Sequence, residues 1–300
     1  MAAYLPKTPV VKHRSWVRRV ICNVLHHSVP NKARVLFAVV LLGSLFCAIE
    51  MNPESHFSDK MNPLNLYMVK FSWGWTMMCI LPAVLFSSFL YSGFQWDMIV
   101  KHFGRVVVAH VIWMTVTTLF VVLDSATGMC TSEGISERSV CLRGGHRWVG
   151  FDISGHIFLL TYCIYVLTEE CANIQLEVWY EYNSGLLIEH QVTSKLSARK
   201  QNLLLQLHYI ASWVVGPLEL LAMSQVLLWT FMTASTAFYF HSFIEKFLGF
   251  TIGFFTWYLT YRCLYGRWSY VPCRPDEGLL HPLKHIRTNT AEESTPSERN

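Results

Sequence analysis

One short stretch of the sequence combines side chains that could perform chemistry. Asp152, Ser154, Gly155 and His156 stand directly before the largely apolar run 157–167, and a second histidine, His241, precedes the apolar run 247–264. Polar groups at membrane depth normally face a cavity or a protein partner, because lipid cannot satisfy them. The stretch therefore indicates a functional site, although a polar loop ending in a structurally bonded histidine would show the same pattern.

A pair of histidines suits phosphoryl chemistry. One imidazole can attack phosphorus while the other protonates the departing oxygen, and histidine fits both roles since its unperturbed pKa lies near neutrality. A glycine beside His156 lets the backbone approach a bulky anion closely. A metal site is a weak alternative, because the spacing of His146, Asp152 and His156 matches no zinc pattern. We therefore expect neither a metal nor another cofactor.

The composition places these residues in a membrane protein. Of the 300 residues, 52% are hydrophobic and only 15% are charged, and the mean hydropathy is +0.31. These values are typical of polytopic membrane proteins rather than soluble domains. The formal net charge of +4 is small and no nucleic-acid-binding motif is present, so a nucleic-acid partner is not expected.

The apolar runs predict an all-α fold with six transmembrane helices. The basic segment 1–34 has the apolar and basic faces of a cytosolic amphipathic helix, although a disordered basic tail is also compatible. The polar segment 266–300 has the composition of a disordered cytosolic tail. Between them, the membrane domain 35–265 holds the site. Its predicted spans cover residues 35–49, 71–94, 106–123, 153–167, 210–232 and 247–264.

The long apolar run 203–240 decides on which side the second histidine lies. Two spans and a turn barely fit within it, so we predict one crossing helix that is entered along the surface from Leu203. One crossing places His156 and His241 at the same membrane face, whereas two crossings would place His241 on the other. Glu219 lies inside this run and is expected to face the bundle interior, because a carboxylate is costly in hydrocarbon.

The basic residues orient the predicted bundle. With six spans, both termini and the loops on their side carry 18 of the 24 lysine and arginine residues. Because cytosolic segments are enriched in basic residues, both termini are predicted to be cytosolic, and both histidines to face the opposite side. Cys130 and Cys141 share a loop on that opposite side, where oxidation is possible. They are a candidate disulfide, with Cys141 as a buried thiol the alternative.

Three segments resemble the fat storage-inducing transmembrane (FIT) protein family. They are the stretch G-F-D-I-S-G-H-I-F-L-L-T-Y-C at 150–163, the segment 237–245, and the pair Trp257-Tyr258 near the end of the last predicted span. The resemblance covers roughly residues 35–265. It implies a six-helix protein of the endoplasmic reticulum membrane, related to lipid phosphate phosphatases, that supports lipid droplet formation. It also implies acyl-coenzyme A diphosphatase activity, which gives an acyl 4'-phosphopantetheine and adenosine 3',5'-bisphosphate.

The resemblance also implies roles for single residues. His156 would be the general acid and His241 the nucleophile, with the site facing the lumen. Ser154 and Gly155 would offer hydrogen bonds to phosphate oxygens, and Asp152 is grouped with them as a substrate-binding residue. Glu245 lies four residues after His241, so on a helix its carboxylate could orient the imidazole, although it could equally cap that helix as a surface residue.

The chain departs from the wider phosphatase pattern in the residues that would supply positive charge. Those enzymes have Pro-Ser-Gly-His and an arginine ahead of the nucleophilic histidine, whereas this chain has D-I-S-G-H and no such arginine. Phosphate charge must still be neutralised. Arg143, Arg147 and Lys246 are the cations nearest the histidines in sequence on the non-cytosolic side, so we propose them as a clamp. The alternative is that they are solvated loop charges.

Two functions from different classes follow from these observations. The first is a metal-independent hydrolase whose partners are fatty acyl-CoA and membrane lipid. The second is a non-catalytic protein that binds and partitions diacylglycerol or triacylglycerol, with both histidines as structural hydrogen-bonding groups. The sequence does not identify cytosolic or cytoskeletal protein partners.

Overall fold

The computed structural model describes residues 29–49, 55–59, 61–132, 134–172 and 197–278, and it is mostly helical. The helices are α1 (Val29–Ala48), α2 (Ser72–Ser92), α3 (Trp96–Thr127), α4 (Arg138–Arg143), α5 (Gly155–Ala172), α6 (Ala198–Tyr239) and α7 (Phe243–Trp257). Shorter elements are a 3₁₀ turn at His56–Ser58, π-helical segments at Leu64–Val69 and Tyr258–Leu264, and the strands β1 (Met129–Cys130) and β2 (Trp148–Val149). The two strands pair antiparallel.

Helix α5 lies at the centre of the bundle. Every residue in 157–168 is buried, because α5 contacts α2, α3, α6 and α7. Its aromatic side chains stack on those of its neighbours: Tyr162 lies against Trp73 of α2, and Tyr165 lies against Trp257 of α7. A helix that is apolar all round is expected in such a position. The apolar run after His156 is therefore covered by protein.

Helix α7 approaches α5 closely through two glycines. A Cβ atom at Gly249 would lie 2.6 Å from the carbonyl oxygen of Ser154, and one at Gly253 would lie 2.9 Å from that of Phe158. Small residues four apart allow helix backbones to touch in membrane proteins. This contact fixes the start of α7 against the start of α5.

Four helices among the described residues are long and apolar enough to cross a membrane. They comprise Asn31–Ala48, Ser72–Ser92, Trp96–Thr127 and Trp213–Tyr239. The third of these presents apolar side chains outward along most of its length, including Val107, Val111, Leu119 and Val122. A continuous exposed apolar surface of this kind is typical of a lipid-facing helix. The chain is thus a multi-pass, all-α membrane protein.

Each predicted span overlaps one long helix, but the boundaries differ. The residues between the predicted spans 71–94 and 106–123, which include Asp97, Lys101 and Arg105, belong to α3, which begins at Trp96. The single helix predicted within 203–240 is confirmed, because α6 runs without a break from Ala198 to Tyr239. The amphipathic helix predicted for 1–34 falls mainly outside the described residues.

A buried ion pair closes the end of the bundle opposite His156. Arg105 is 1% exposed and donates to both carboxylate oxygens of Glu170 at 2.8 Å. Tyr261 donates to the same carboxylate at 2.7 Å, and Arg105 also donates to the carbonyl of Cys273 at 3.2 Å. Such a pair is stable in the interior only when further hydrogen bonds complete it, and this one is complete.

The ion pair also holds the segment that follows the last helix. Arg105 binds the Cys273 carbonyl of this segment, and the His102 ring lies 3.0 Å from the Glu277 carbonyl of the same segment. A Cβ at Gly278 would lie 2.7 Å from the side chain of Tyr91. The expectation of a disordered tail from residue 266 therefore fails for residues 266–278, and residues 279–300 lie outside the described residues.

Replacing Glu170 with Gln should strongly destabilise the bundle. The change leaves the Arg105 guanidinium buried without a countercharge, a situation that costs about 3–5 kcal/mol. The free energy of unfolding can be measured by SDS titration in detergent micelles. Glu169→Gln is the matched control, because its partner Arg262 is 44% exposed and stays in contact with solvent when the carboxylate is neutralised, so the loss should be smaller. Equal losses in the two variants would contradict a special role for the buried pair.

Candidate active site

The loop between α3 and α5 is pinned at several points before it delivers Asp152. A disulfide joins Cys130 and Cys141, as the sequence suggested, and ties β1 to α4. At the end of α3, Asp124 pairs with Arg138 at 3.0 Å and accepts a hydrogen bond from the Trp148 ring on its main-chain oxygen. A Cβ at Gly150 would lie 2.5 Å from the Asp124 carboxylate. The loop is thus held against α3 just ahead of residues 152–156.

Ser154 ends this loop and begins α5. Its hydroxyl oxygen accepts the N–H of Ile157 at 3.4 Å, the pattern of a helix N-cap. His156 therefore lies in the first turn of a helix, where it is half-buried, and the positive end of the helix dipole points towards the loop. A Cβ at Gly155 would meet nothing within 4 Å, so the backbone beside His156 faces open space.

His241 lies in the tight connection between α6 and α7. Its backbone φ is +63°, a left-handed conformation that costs a non-glycine residue about 1–2 kcal/mol. The next residue, Ser242, starts α7 with a capping box in which its hydroxyl and the Glu245 carboxylate each bond the other's N–H. Strained residues persist where the surroundings hold them, often at functional sites.

The two histidine-bearing segments meet at one end of the bundle. The N–H of Ser154 donates to the carbonyl of Glu245 at 3.2 Å, next to the close approach of Gly249 to Ser154. The Asp152 carboxylate lies 3.8 Å from Nδ1 of His241. The segments that carry His156 and His241 therefore lie at the same end of the bundle.

Nδ1 of His241 faces two carboxylates. Besides Asp152 at 3.8 Å, the Glu245 carboxylate lies at 3.7 Å. Both distances are longer than a hydrogen bond, but catalytic hydrogen bonds often tighten only when substrate is bound. With Nδ1 facing negative charge, the other ring nitrogen, Nε2, is left to act as a nucleophile.

The three cations named in the sequence analysis occupy different positions. Arg147 is exposed and, within the described part of the chain, its guanidinium makes no hydrogen bond, while Arg143 donates to the Ser139 carbonyl at 3.2 Å. Lys246 is fully buried, and its ammonium donates to the Ala237 carbonyl at 2.8 Å. In this position Lys246 supports the end of α6 rather than a phosphate.

Local bonds fix the backbone of Arg147 in the loop that leads to Asp152. Its carbonyl accepts the N–H of Thr131 at 2.9 Å, and its N–H donates to the Thr131 hydroxyl at 3.0 Å. The disulfide lies directly beside this pair, because Cys130 precedes Thr131. The hydrogen-bonded loop thus presents Arg147 five residues before Asp152.

These groups can perform acid–base and nucleophilic catalysis on an anionic substrate. The site offers two imidazoles, two carboxylates and a helix N-terminus, and the exposed Arg147 precedes Asp152 by five residues. Among the described residues, no group of three His, Cys, Asp or Glu side chains could hold a metal ion. Their arrangement suits the transfer of a phosphoryl group.

Sequence reasoning missed two features that build the site. The first is the pair Gly249 and Gly253, which seats α7 on α5; the G-x-x-x-G spacing in an apolar helix was the available signal. The second is the contact between Asp124 and the loop, for which Gly128 and Gly150 were a weaker signal, since glycines often mark close backbone approach.

One family profile and several curated relatives match this chain over most of its length. The family profile described as "Fat storage-inducing transmembrane protein" matches residues 53–146 and 122–261. The chain is 31% identical over 268 residues to acyl-coenzyme A diphosphatase FITM2 of Drosophila melanogaster, covering 84% of this chain but only 63% of that relative. For the human protein of the same name the identity is 30% over 257 residues, covering 83% of this chain and 87% of that relative. For the Xenopus laevis protein of the same name the identity is 31% over 249 residues, covering 80% of this chain and 85% of that relative. No solved structure matches.

Replacing Gly249 with Ala should separate the two histidine-bearing segments. The new methyl group would meet the Ser154 carbonyl at 2.6 Å, and overpacking of this kind costs about 1–3 kcal/mol. Hydrogen exchange of a peptide covering 152–158 should become faster, because the bond from Ser154 to Glu245 is lost. Gly74→Ala in α2 is the control, since its Cβ would meet nothing within 4 Å. Unchanged exchange in Gly249→Ala would contradict the tight contact.

Proposed function

Because the chain belongs to the fat storage-inducing transmembrane protein family, we propose that it is an acyl-coenzyme A diphosphatase of the endoplasmic reticulum membrane. The substrate is fatty acyl-CoA, and hydrolysis of its pyrophosphate gives acyl 4'-phosphopantetheine and adenosine 3',5'-bisphosphate. The observation that carries the proposal is the meeting of residues 152–156 with residues 241–245. Support for lipid droplet formation follows from the family.

The proposed reaction has two steps that use both histidines. In the first, Nε2 of His241 attacks one phosphorus, the bridging P–O bond breaks, and His156 gives its proton to the departing phosphate oxygen. In the second, water attacks the phosphohistidine while His156 takes a proton from that water, and the N–P bond breaks. One water is consumed in each cycle, and both histidines return to their starting states.

Phosphate recognition is proposed to come from Arg147 together with the start of α5. Arg147 is exposed and its backbone is fixed by Thr131, while the open space beside Gly155 admits a bulky anion. The helix N-terminus at Ser154 and Gly155 adds favourable electrostatics for negative charge. Arg143 lies on the same disulfide-tied loop and contributes a second, more distant positive charge.

The proposed membrane arrangement has six crossings with both termini in the cytosol. Besides the four apolar helices, α5 crosses inside the bundle, and α7 crosses with its continuation Tyr258–Leu264. The site then faces the lumen, on the side opposite the basic N-terminal segment. The distribution of basic residues supports this orientation, as does the disulfide, because the lumen is oxidising.

Replacing either histidine with Ala should abolish hydrolysis of oleoyl-CoA. Loss of the nucleophile or of the general acid lowers kcat by at least about 10²-fold. Mass spectrometry of the products released by purified protein in micelles provides the measurement. His146→Ala is the matched control, because His146 is an exposed histidine of the neighbouring loop, and its activity should be unchanged. If His156→Ala and His241→Ala released product at the wild-type rate, the enzyme proposal would fail and the lipid-binding alternative would gain support.

Replacing Arg147 with Gln should weaken substrate binding more than catalysis. Loss of one charge-assisted hydrogen bond costs about 1.5–3 kcal/mol, so KM for oleoyl-CoA should rise by about 10-fold or more while kcat changes less. Arg267→Gln is the control, since Arg267 is exposed beyond the far end of α7. A KM equal to that of wild type would remove Arg147 from the proposed site.

A further inference from the structure

We infer that Asp152 is a positioning residue for His241 and does not bind the substrate. The inference rests on the proposed function, since it assigns a role in the same reaction. It differs from the role suggested by the sequence, in which Asp152 was grouped with the phosphate-binding residues. Its basis is the contact between the Asp152 carboxylate and Nδ1 of His241 across two separate segments of the chain.

Charge argues against direct contact between Asp152 and a phosphate. Pyrophosphate is strongly anionic, and a carboxylate placed against it would repel it, since like charges at short range are unfavourable. A carboxylate beside Nδ1 acts in the opposite way. It fixes the tautomer and the orientation of the ring, and it stabilises the positive charge that the ring acquires as the N–P bond forms.

The two carboxylates that face His241 are not equivalent. Glu245 is 16% exposed and already accepts the N–H of Ser242 at 2.8 Å as part of the α7 cap. Asp152 is 60% exposed, and within the described part of the chain its side chain contacts no other polar group than His241. Lys246, the cation nearest to His241 in sequence, donates to the Ala237 carbonyl instead. The Asp152 carboxylate is therefore able to move with the His241 ring, whereas the Glu245 carboxylate is held in the helix cap.

The position of Asp152 couples the two histidines. It lies four residues before His156 on one segment, and it contacts the ring of His241 on the other. The neighbouring bond from Ser154 to Glu245 links the same two segments through the backbone. His241 lies in the connection between α6 and α7 with φ +63°, so its ring is not held by a helix of its own. Asp152 supports the ring from the segment that carries the general acid.

The test compares kcat and KM for oleoyl-CoA in wild type, Asp152→Asn, Asp152→Glu, Glu245→Gln and the double variant Asp152→Asn/Glu245→Gln. A positioning role predicts that Asp152→Asn lowers kcat by about 10- to 100-fold with KM within about twofold, and that Asp152→Glu restores much of the lost rate. If both carboxylates act through one imidazole, the double variant should fall further than the product of the two single effects, because groups that share a partner are not additive.

Glu137→Gln is the matched control, because Glu137 is an exposed carboxylate of the same loop, and its kcat should equal that of wild type. A second substrate, oleoyl-dephospho-CoA, keeps the pyrophosphate but lacks the 3'-phosphate. A positioning residue lowers kcat by the same factor on both substrates with little change in KM, whereas a residue that contacts the pyrophosphate changes KM on both substrates and one that contacts the 3'-phosphate changes KM on oleoyl-CoA alone.

Several outcomes would overturn the assignment. A wild-type kcat in Asp152→Asn, a defect confined to KM, or strict additivity in the double variant would each exclude a positioning role. If His156→Ala and His241→Ala are inactive in the same assay, the proposed function survives such a result. If Asp152→Asn does not yield folded protein, the Asp152→Glu variant decides: it keeps the carboxylate, so a folded protein with kcat reduced more than about 100-fold and no recovery would overturn the assignment.

Discussion

The contact between the backbones of α5 and α7 is the constraint on which the site depends. The two histidines are 85 residues apart, and the seating of Gly249 against Ser154, together with the bond from Ser154 to the Glu245 carbonyl, places their segments side by side. Gly249 has no side chain that could change rotamer, so a small shift of α7 against α5 would directly change the distance between their backbones. In hydrocarbon, where no water competes for the exposed backbone groups, such direct helix contact is a favourable way to associate. Chemistry at His156 and His241 is thus a consequence of helix packing.

Much of the fold was predictable because hydropathy reports membrane spans directly. The six predicted spans each overlap a long helix, and the single helix in 203–240 followed from length alone, since two crossings hardly fit. The shared position of the two histidines then came from topology. The disulfide pair was also suggested by its shared loop, and the structure contains it.

What the sequence did not indicate depends on partners that are distant along the chain. Arg105 lies between the second and third predicted spans, yet it is buried, because the Glu170 carboxylate of another helix accepts its hydrogen bonds and Tyr261 donates to the same carboxylate. The polar composition of residues 266–278 suggested disorder. The hydrogen bonds that hold them to α3 involve residues far away along the chain and could not be inferred from that composition. The direction of the His241 ring was equally hidden, since it depends on a positive φ angle that no local motif announced.

The left-handed backbone at His241 sets folding against catalysis at a single position. Glycine or asparagine adopts this conformation with less strain, so either would suit the turn between α6 and α7 better than the imidazole does. A protein engineered there for thermal stability alone would lose the histidine proposed as its nucleophile. The trade-off between stability and activity found in many enzymes is here concentrated in one residue, and a library selected only for folding should drift away from histidine at this turn.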